Sequence, residues 1–246
     1  MYDTIRALYE KDLKVPHNDF CRHTCDARHK VPILPWHIGS EYRKSDQRLV
    51  ILREPHRSDQ RMRKLESGIK DPRELADRLF RTESKAIWSY LRAFLERVHG
   101  SADEGWERIV LTSAVKCTNV GRNNPTARRT TQRMRESCIR EVGMIRRELK
   151  RLRPTHLVAI LDASYDDYLD DLRWAGDQAW WNLMQPDNKA ECGKSTVAWF
   201  ERELIGRGGR VRFLRVGPPQ GKPRDAYVEL LARWLAVGEL PAVSTA

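Results

Sequence analysis

The chain has no apolar run long enough to span a bilayer, so no membrane helix is expected. Its opening residues, MYDTIRALYEKDLK, lack the apolar core of a secretory leader, and a cytoplasmic location is expected. An even cysteine framework is also missing. Five cysteines without a leader argue against a disulfide scaffold and favour reduced thiols that bind a metal or cluster. There is no internal repeat and no linker-like stretch, so residues 1–246 are expected to form a single domain, with 1–47 holding an N-terminal helix and a cysteine loop. Acidic residues are in the minority, 34 against 45 Lys and Arg, which leaves a net charge of +11. A basic chain rich in Arg, whose planar fork suits phosphates and base edges, points first to a nucleic-acid partner.

What is present is a globular composition, 40% hydrophobic and 32% charged. Four short apolar runs read as buried strands: RLVIL at 48–52, the run at 109–115, HLVAIL at 156–161 and RVRFLRV at 210–216. Helical periodicity predicts elements over 2–14, from 71 with Leu75, Leu79 and Phe80, over 84–99, through the basic stretch leading to 153, and over 163–172, 196–205 and 227–237. Residues 100–105 read as a turn, and 174–194 as a long loop or insertion. Strands alternating with helices define an α/β class: three layers, with a central, mostly parallel four-stranded sheet.

Open α/β sheets place ligands at the carboxyl ends of their strands. The first strand runs into Arg53-Glu54-Pro55-His56-Arg57-Ser58-Asp59, which puts a carboxylate in a proline-fixed turn at such an end. The 109–115 strand leads into Lys116-Cys117 and a loop rich in Asn, Gly, Pro and Arg, followed by Cys138 in a basic segment. Cys21 and Cys25 lie about one helical turn apart, among His17, His23 and His29, which could substitute as ligands. Trp180 and Trp181 read as packing anchors before they read as a stacking platform for bases.

Several stretches together resemble the iron–sulfur branch (family 4-like) of the uracil-DNA glycosylase superfamily: SAVKCTNVGRNNPT (113–126), Cys138 with its basic segment, RPTHLVAIL (153–161), the Cys21/Cys25 pair and LREPHRSD (52–59). The resemblance covers roughly residues 20–235 in motif order. It implies a compact α/β glycosylase fold acting on single- or double-stranded DNA as a monomer. It also implies that Cys21, Cys25, Cys117 and Cys138 ligate a [4Fe–4S] cluster, with a four-thiolate zinc site as the alternative and Cys192 as a spare. Departures from the family pattern are informative. The early pair is one residue wider than usual. Ser113 stands where an Asn reads the uracil edge, and Val216-Gly217-Pro218-Pro219 stands where a His-led motif is normal. A pocket with Ser113 is roomier and differently polarised.

The resemblance therefore implies a DNA glycosylase for a modified pyrimidine, such as a phage hypermodified base removed in host defence, rather than for plain uracil. Uracil repair and a non-catalytic cluster-bearing DNA-binding module are the alternatives. Glu54 would activate water and His56 would polarise the leaving base or shape the pocket. Pro55, Ser113 and the reserve carboxylate Asp59 would complete that pocket. Arg57, Arg61, Arg63, Arg122, Arg128, Arg129, Lys222 and Arg224 would clamp phosphates around a flipped base.

Overall fold

The computed structural model describes residues 1–12, 36–54, 71–116, 130–169, 188–192, 195–206 and 209–237. In chain order these form α1 (Tyr2–Ala7), which runs on into a π-helical turn at Leu8–Asp12, and then β1 (His37–Ile38) and β2 (Leu49–Arg53). Next come α2 (Pro72–Thr82), α3 (Ala86–His99), α4 (Ala102–Trp106), β3 (Ile109–Ser113) and α5 (Gln132–Arg135). A π-helical turn (Glu136–Glu141), α6 (Met144–Leu152), β4 (His156–Ile160) and α7 (Asp166–Leu169) follow. The last elements are β5 (Asn188–Cys192), β6 (Ser195–Gly206), β7 (Gly209–Val216) and α8 (Arg224–Val237).

Local chemistry sets several of these boundaries. Asp71 caps α2 by accepting from Arg73 N at 2.9 Å, and Pro72 opens the helix without wasting an N–H. Gly100 closes α3 in the left-handed region at φ 78°. Ser101 then caps α4, so the expected turn at 100–105 is instead a short helix. Thr131 caps α5 through Met134 N at 3.2 Å.

Among the described residues the sheet has seven strands in the order β1-β3-β2-β4-β7-β6-β5. The four expected strands sit together as β3-β2-β4-β7, paired in parallel. β2 and β3 are buried on both faces and mostly apolar, as strands covered on both sides require. One face carries Val50, Leu52, Val110, Leu157 and Phe213 against α1, the π-helical turns and α6. The other carries Ile51, Leu111, Val158, Ile160 and Val216 against α2, α3, α4 and α8. Among the described residues no helix is long and apolar enough to cross a membrane.

Several expectations need correction. The sheet is mixed rather than a mostly parallel four-stranded one: β1 pairs antiparallel with β3, β6 with β7 and β5 with β6. The helix expected over 196–205 is part of β6, which pairs with β7 from Trp199↔Val216 to Gly206↔Gly209. The free edge of β7 carries unpaired N–H and C=O groups, and satisfying them overrides local helix preference. The loop expected over 174–194 contains β5. The single basic helix is broken into α5, a π-helical turn and α6, with Gly143 in the left-handed region at φ 62° between the last two. The acidic helix is only a 3-10 turn (Ala163–Tyr165) followed by α7 within the described residues.

Candidate functional site

Parallel pairing brings the carboxyl ends of β3, β2, β4 and β7 to one edge. Register lines up Ser113, Arg53, Ile160 and Val216 side by side across that edge. Strand alternation points all four to the face that holds α3. The next residue of β2's chain, Glu54, emerges half-buried at the centre of the edge.

Glu54 is held by its neighbours. Its Oε1 accepts from the backbone N of Asp162, just past β4, at 3.1 Å. The Glu54 carboxyl also lies in hydrogen-bonding reach of the Asp162 carboxyl. Asp162 Oδ1 accepts from Ser164 N at 2.8 Å and from the Ser164 hydroxyl. Partial desolvation pushes the Asp162 carboxyl up. The contacts with Ser164 and Glu54, and the charge of Arg135, outweigh that and hold it below the usual carboxylate range. Arg135 of α5 lies 5.2 Å over the Tyr165 ring and 5.5 Å over Tyr168. Burial pushes the Tyr165 phenol up, and the nearby charge of Glu54 adds to the effect. Further along, Arg215 grips Asp166 with two bonds of 2.9 and 3.1 Å. Desolvation still raises Asp166 to about 6, against the pull of Arg215, with help from Asp162 and Asp167. The edge therefore concentrates carboxylates on one side of Glu54.

On the α3 side it concentrates donors. Arg53 is buried, and its Nη1 donates to the Glu54 carbonyl at 3.2 Å. Its guanidinium lies 5.2 Å over the Trp88 ring. Its Nε and Nη2 have no hydrogen-bond partner among the described residues, nor do Ser113 Oγ and Trp88 Nε1. Desolvation lowers Arg53 to about 10, opposed by the charge of Glu54. Each unpartnered buried donor costs about 1–3 kcal/mol. The stack on Trp88 returns only about 0.5–2 kcal/mol. Packing alone therefore does not account for Arg53. A small apolar hollow lies on the same face of the sheet, lined by Ile51, Ile87, Tyr90, Ile160, Pro219 and Tyr227.

Of the four expected cluster thiols, Cys138 is described. It is buried in the π-helical turn, and its Sγ accepts from the backbone N of Lys116, the residue before Cys117, at 3.4 Å. The Lys116 ammonium meets Glu148 of α6 at 2.6 Å and the Thr112 hydroxyl, and Tyr9 donates to the same carboxylate at 2.6 Å. Among the described residues no three His, Cys, Asp or Glu side chains form a metal-binding group. Cys21, Cys25 and Cys117 lie outside the described residues, as do Pro55, His56, Arg57, Asp59, Arg61, Arg63, Arg122, Arg128 and Arg129.

Lys222, expected as a phosphate clamp, is half-buried and its ammonium donates to the Pro218 carbonyl. Tyr90 ties the Lys222 carbonyl to α3, and Tyr227 donates to the Gly217 carbonyl at 2.7 Å, so this loop is braced from two sides. Arg224 is exposed at the first turn of α8, beside Asp225. Sequence reasoning missed Asp162, Arg135, and Arg53 with Trp88. The signal for Asp162 was its position directly after an apolar strand, the same signal that picked out Glu54.

Fold and edge together define an α/β protein with a charged site at the carboxyl ends of its parallel strands. No protein-family model matches the chain, and no curated protein matches it.

Proposed function

We propose that this chain is a DNA glycosylase of the uracil-DNA glycosylase type, acting on a modified pyrimidine. The observation that carries the reading is Glu54, held at the centre of the carboxyl edge by Asp162 and flanked by Ser113 and Arg53. In this reading the base is turned out of the DNA and enters beside Ser113. Water aligned by Glu54 attacks the sugar C1′, and Glu54 takes the water proton. The N-glycosidic bond breaks with its electron pair moving to the base, which leaves after picking up a proton. The ionised Asp162 next door helps balance the cationic sugar of the transition state.

The chemistry of Cys138 supports a cluster. A backbone N–H is aimed at its sulfur, the kind of hydrogen bond that tunes cluster sulfurs, and it belongs to the residue preceding Cys117. Cys21, Cys25, Cys117 and Cys138 would hold a [4Fe–4S] cluster, or zinc, as a structural tie between the N-terminal segment and the strand edge. The net charge of +11 supports DNA as the partner of a monomeric chain.

The test is base release read by mass spectrometry, from uracil-containing DNA and from phage DNA with modified pyrimidines. A modified base is expected, with uracil left in place, and Glu54→Gln should slow release by about 100-fold or more. Release of uracil instead would move the assignment to repair. DNA binding with no base released would leave a binding module.

A further inference from the structure

Arg53, Ser113 and Trp88 belong to three different elements, β2, β3 and α3, yet each brings an unpartnered buried donor to the same end of the sheet. Their exposures are 3%, 1% and 0%, so water does not satisfy these groups from bulk solvent. Arg53 and Ser113 are direct partners in register, and Trp88 lies beneath the guanidinium. The unpartnered nitrogens of Arg53 are Nε and Nη2, which share one side of the guanidinium and carry two parallel N–H bonds. Nη1, on the remaining side, donates to the Glu54 carbonyl. The Glu54 carboxylate, the nearest in the chain, receives the Asp162 N–H instead of this fork.

We infer that Arg53, Ser113 and Trp88 form a buried binding site for an oxyanion with two adjacent oxygens, such as a nucleotide phosphate or a carboxylate borne by a base. Arg and Trp donate and never accept, and the Ser hydroxyl rotates to donate. Such a set rejects ligands that bring donors and suits one that brings only acceptors. The parallel pair of N–H bonds matches two oxygens about as far apart as those of a carboxylate or phosphate. Entry is from the carboxyl edge of the sheet, where α/β folds admit ligands. This binding does not depend on base release at Glu54, so the two readings fail separately.

The experiment is an NMR titration of the wild-type protein, following the Nε–H signal of Arg53, assigned by its loss in Arg53→Lys. The probes are inorganic phosphate, a deoxynucleoside 5′-monophosphate and a pyrimidine nucleoside carrying a 5-carboxyl group, with the plain nucleoside as control. The site predicts a saturable shift of that signal with at least one oxyanion and none with the plain nucleoside. Response to both phosphate probes marks a phosphate seat, and response to the carboxyl nucleoside alone marks a reader of the base. Arg53→Lys keeps the charge and loses the fork, so binding of the responding probe should weaken about tenfold or more. Ser113→Ala should weaken it less. An unmoved Nε–H with all three oxyanions, or Arg53→Lys binding as tightly as wild type, overturns the inference. If Arg53→Lys fails to fold, the signal is assigned by through-bond connectivity and the wild-type titration decides alone.

Discussion

Lys116 and Glu148 show how much one pair of side chains can carry. Their exposures are 8% and 1%, and Glu148 also receives hydrogen bonds from Tyr9 and Thr112. Removing one partner of such a buried pair strands the other charge, at a cost of about 3–5 kcal/mol. Glu148→Leu should therefore lower the unfolding free energy by that amount in urea denaturation. The double variant Lys116→Met/Glu148→Leu should recover most of the loss, because no charge is then left buried. The same Lys116 offers its backbone N–H to Cys138, so the pair also steadies the contact expected to support a cluster. At this scale Glu54 was legible from the sequence, as a carboxylate following an apolar strand. Arg53 was read only as part of the turn that follows the strand. A cation adjoining a buried run reveals nothing of its partners until the helix that covers it is placed.

Backbone conformation decides the behaviour of single elements. Gly143 sits at φ 62°, between the π-helical turn and α6, and an added Cβ would meet no atom within 4 Å. The cost of Gly143→Ala is then conformational and not steric. It should be about 1 kcal/mol, visible as a lowered melting temperature with an unchanged far-ultraviolet spectrum. The basic segment read as one helix from its charge and periodicity, yet this glycine breaks it, and the break leaves Cys138 on the turn that faces Lys116. Elements with strong local signals were legible: the Asp71-Pro72 start of α2, the apolar stripe of α3 and the four parallel strands. β6 was not. Its residues suit either a helix or a strand, and the open edge of β7 chose between them.

For the whole molecule, two groups impose opposite pH dependences. Desolvation raises Asp166 to about 6, so between about pH 4 and 6 the folded state holds a proton that the unfolded state has lost. Stability from this group falls as pH rises through that window. Desolvation, and then Arg212, lower His156 to about 4, so between about pH 4 and 6.5 the unfolded state holds the extra proton and stability rises with pH. Replacing either group exposes the other. The stability of Asp166→Asn relative to wild type should climb from pH 4 to 6, and that of His156→Gln should decline from pH 4 to 6.5, both read from urea midpoints.

The sequence alone determined the α/β class, the four parallel strands and the position of Glu54 at a strand end. Apolar runs, caps and turns are local and act over a few residues. Tertiary structure alone decided the mixed edges of the sheet, the pairing of Glu54 with Asp162, 108 residues away in the chain, and the gathering of Arg53, Ser113 and Trp88. Those outcomes rest on backbone groups and charges finding partners far along the chain, and no local pattern encodes which partner is met.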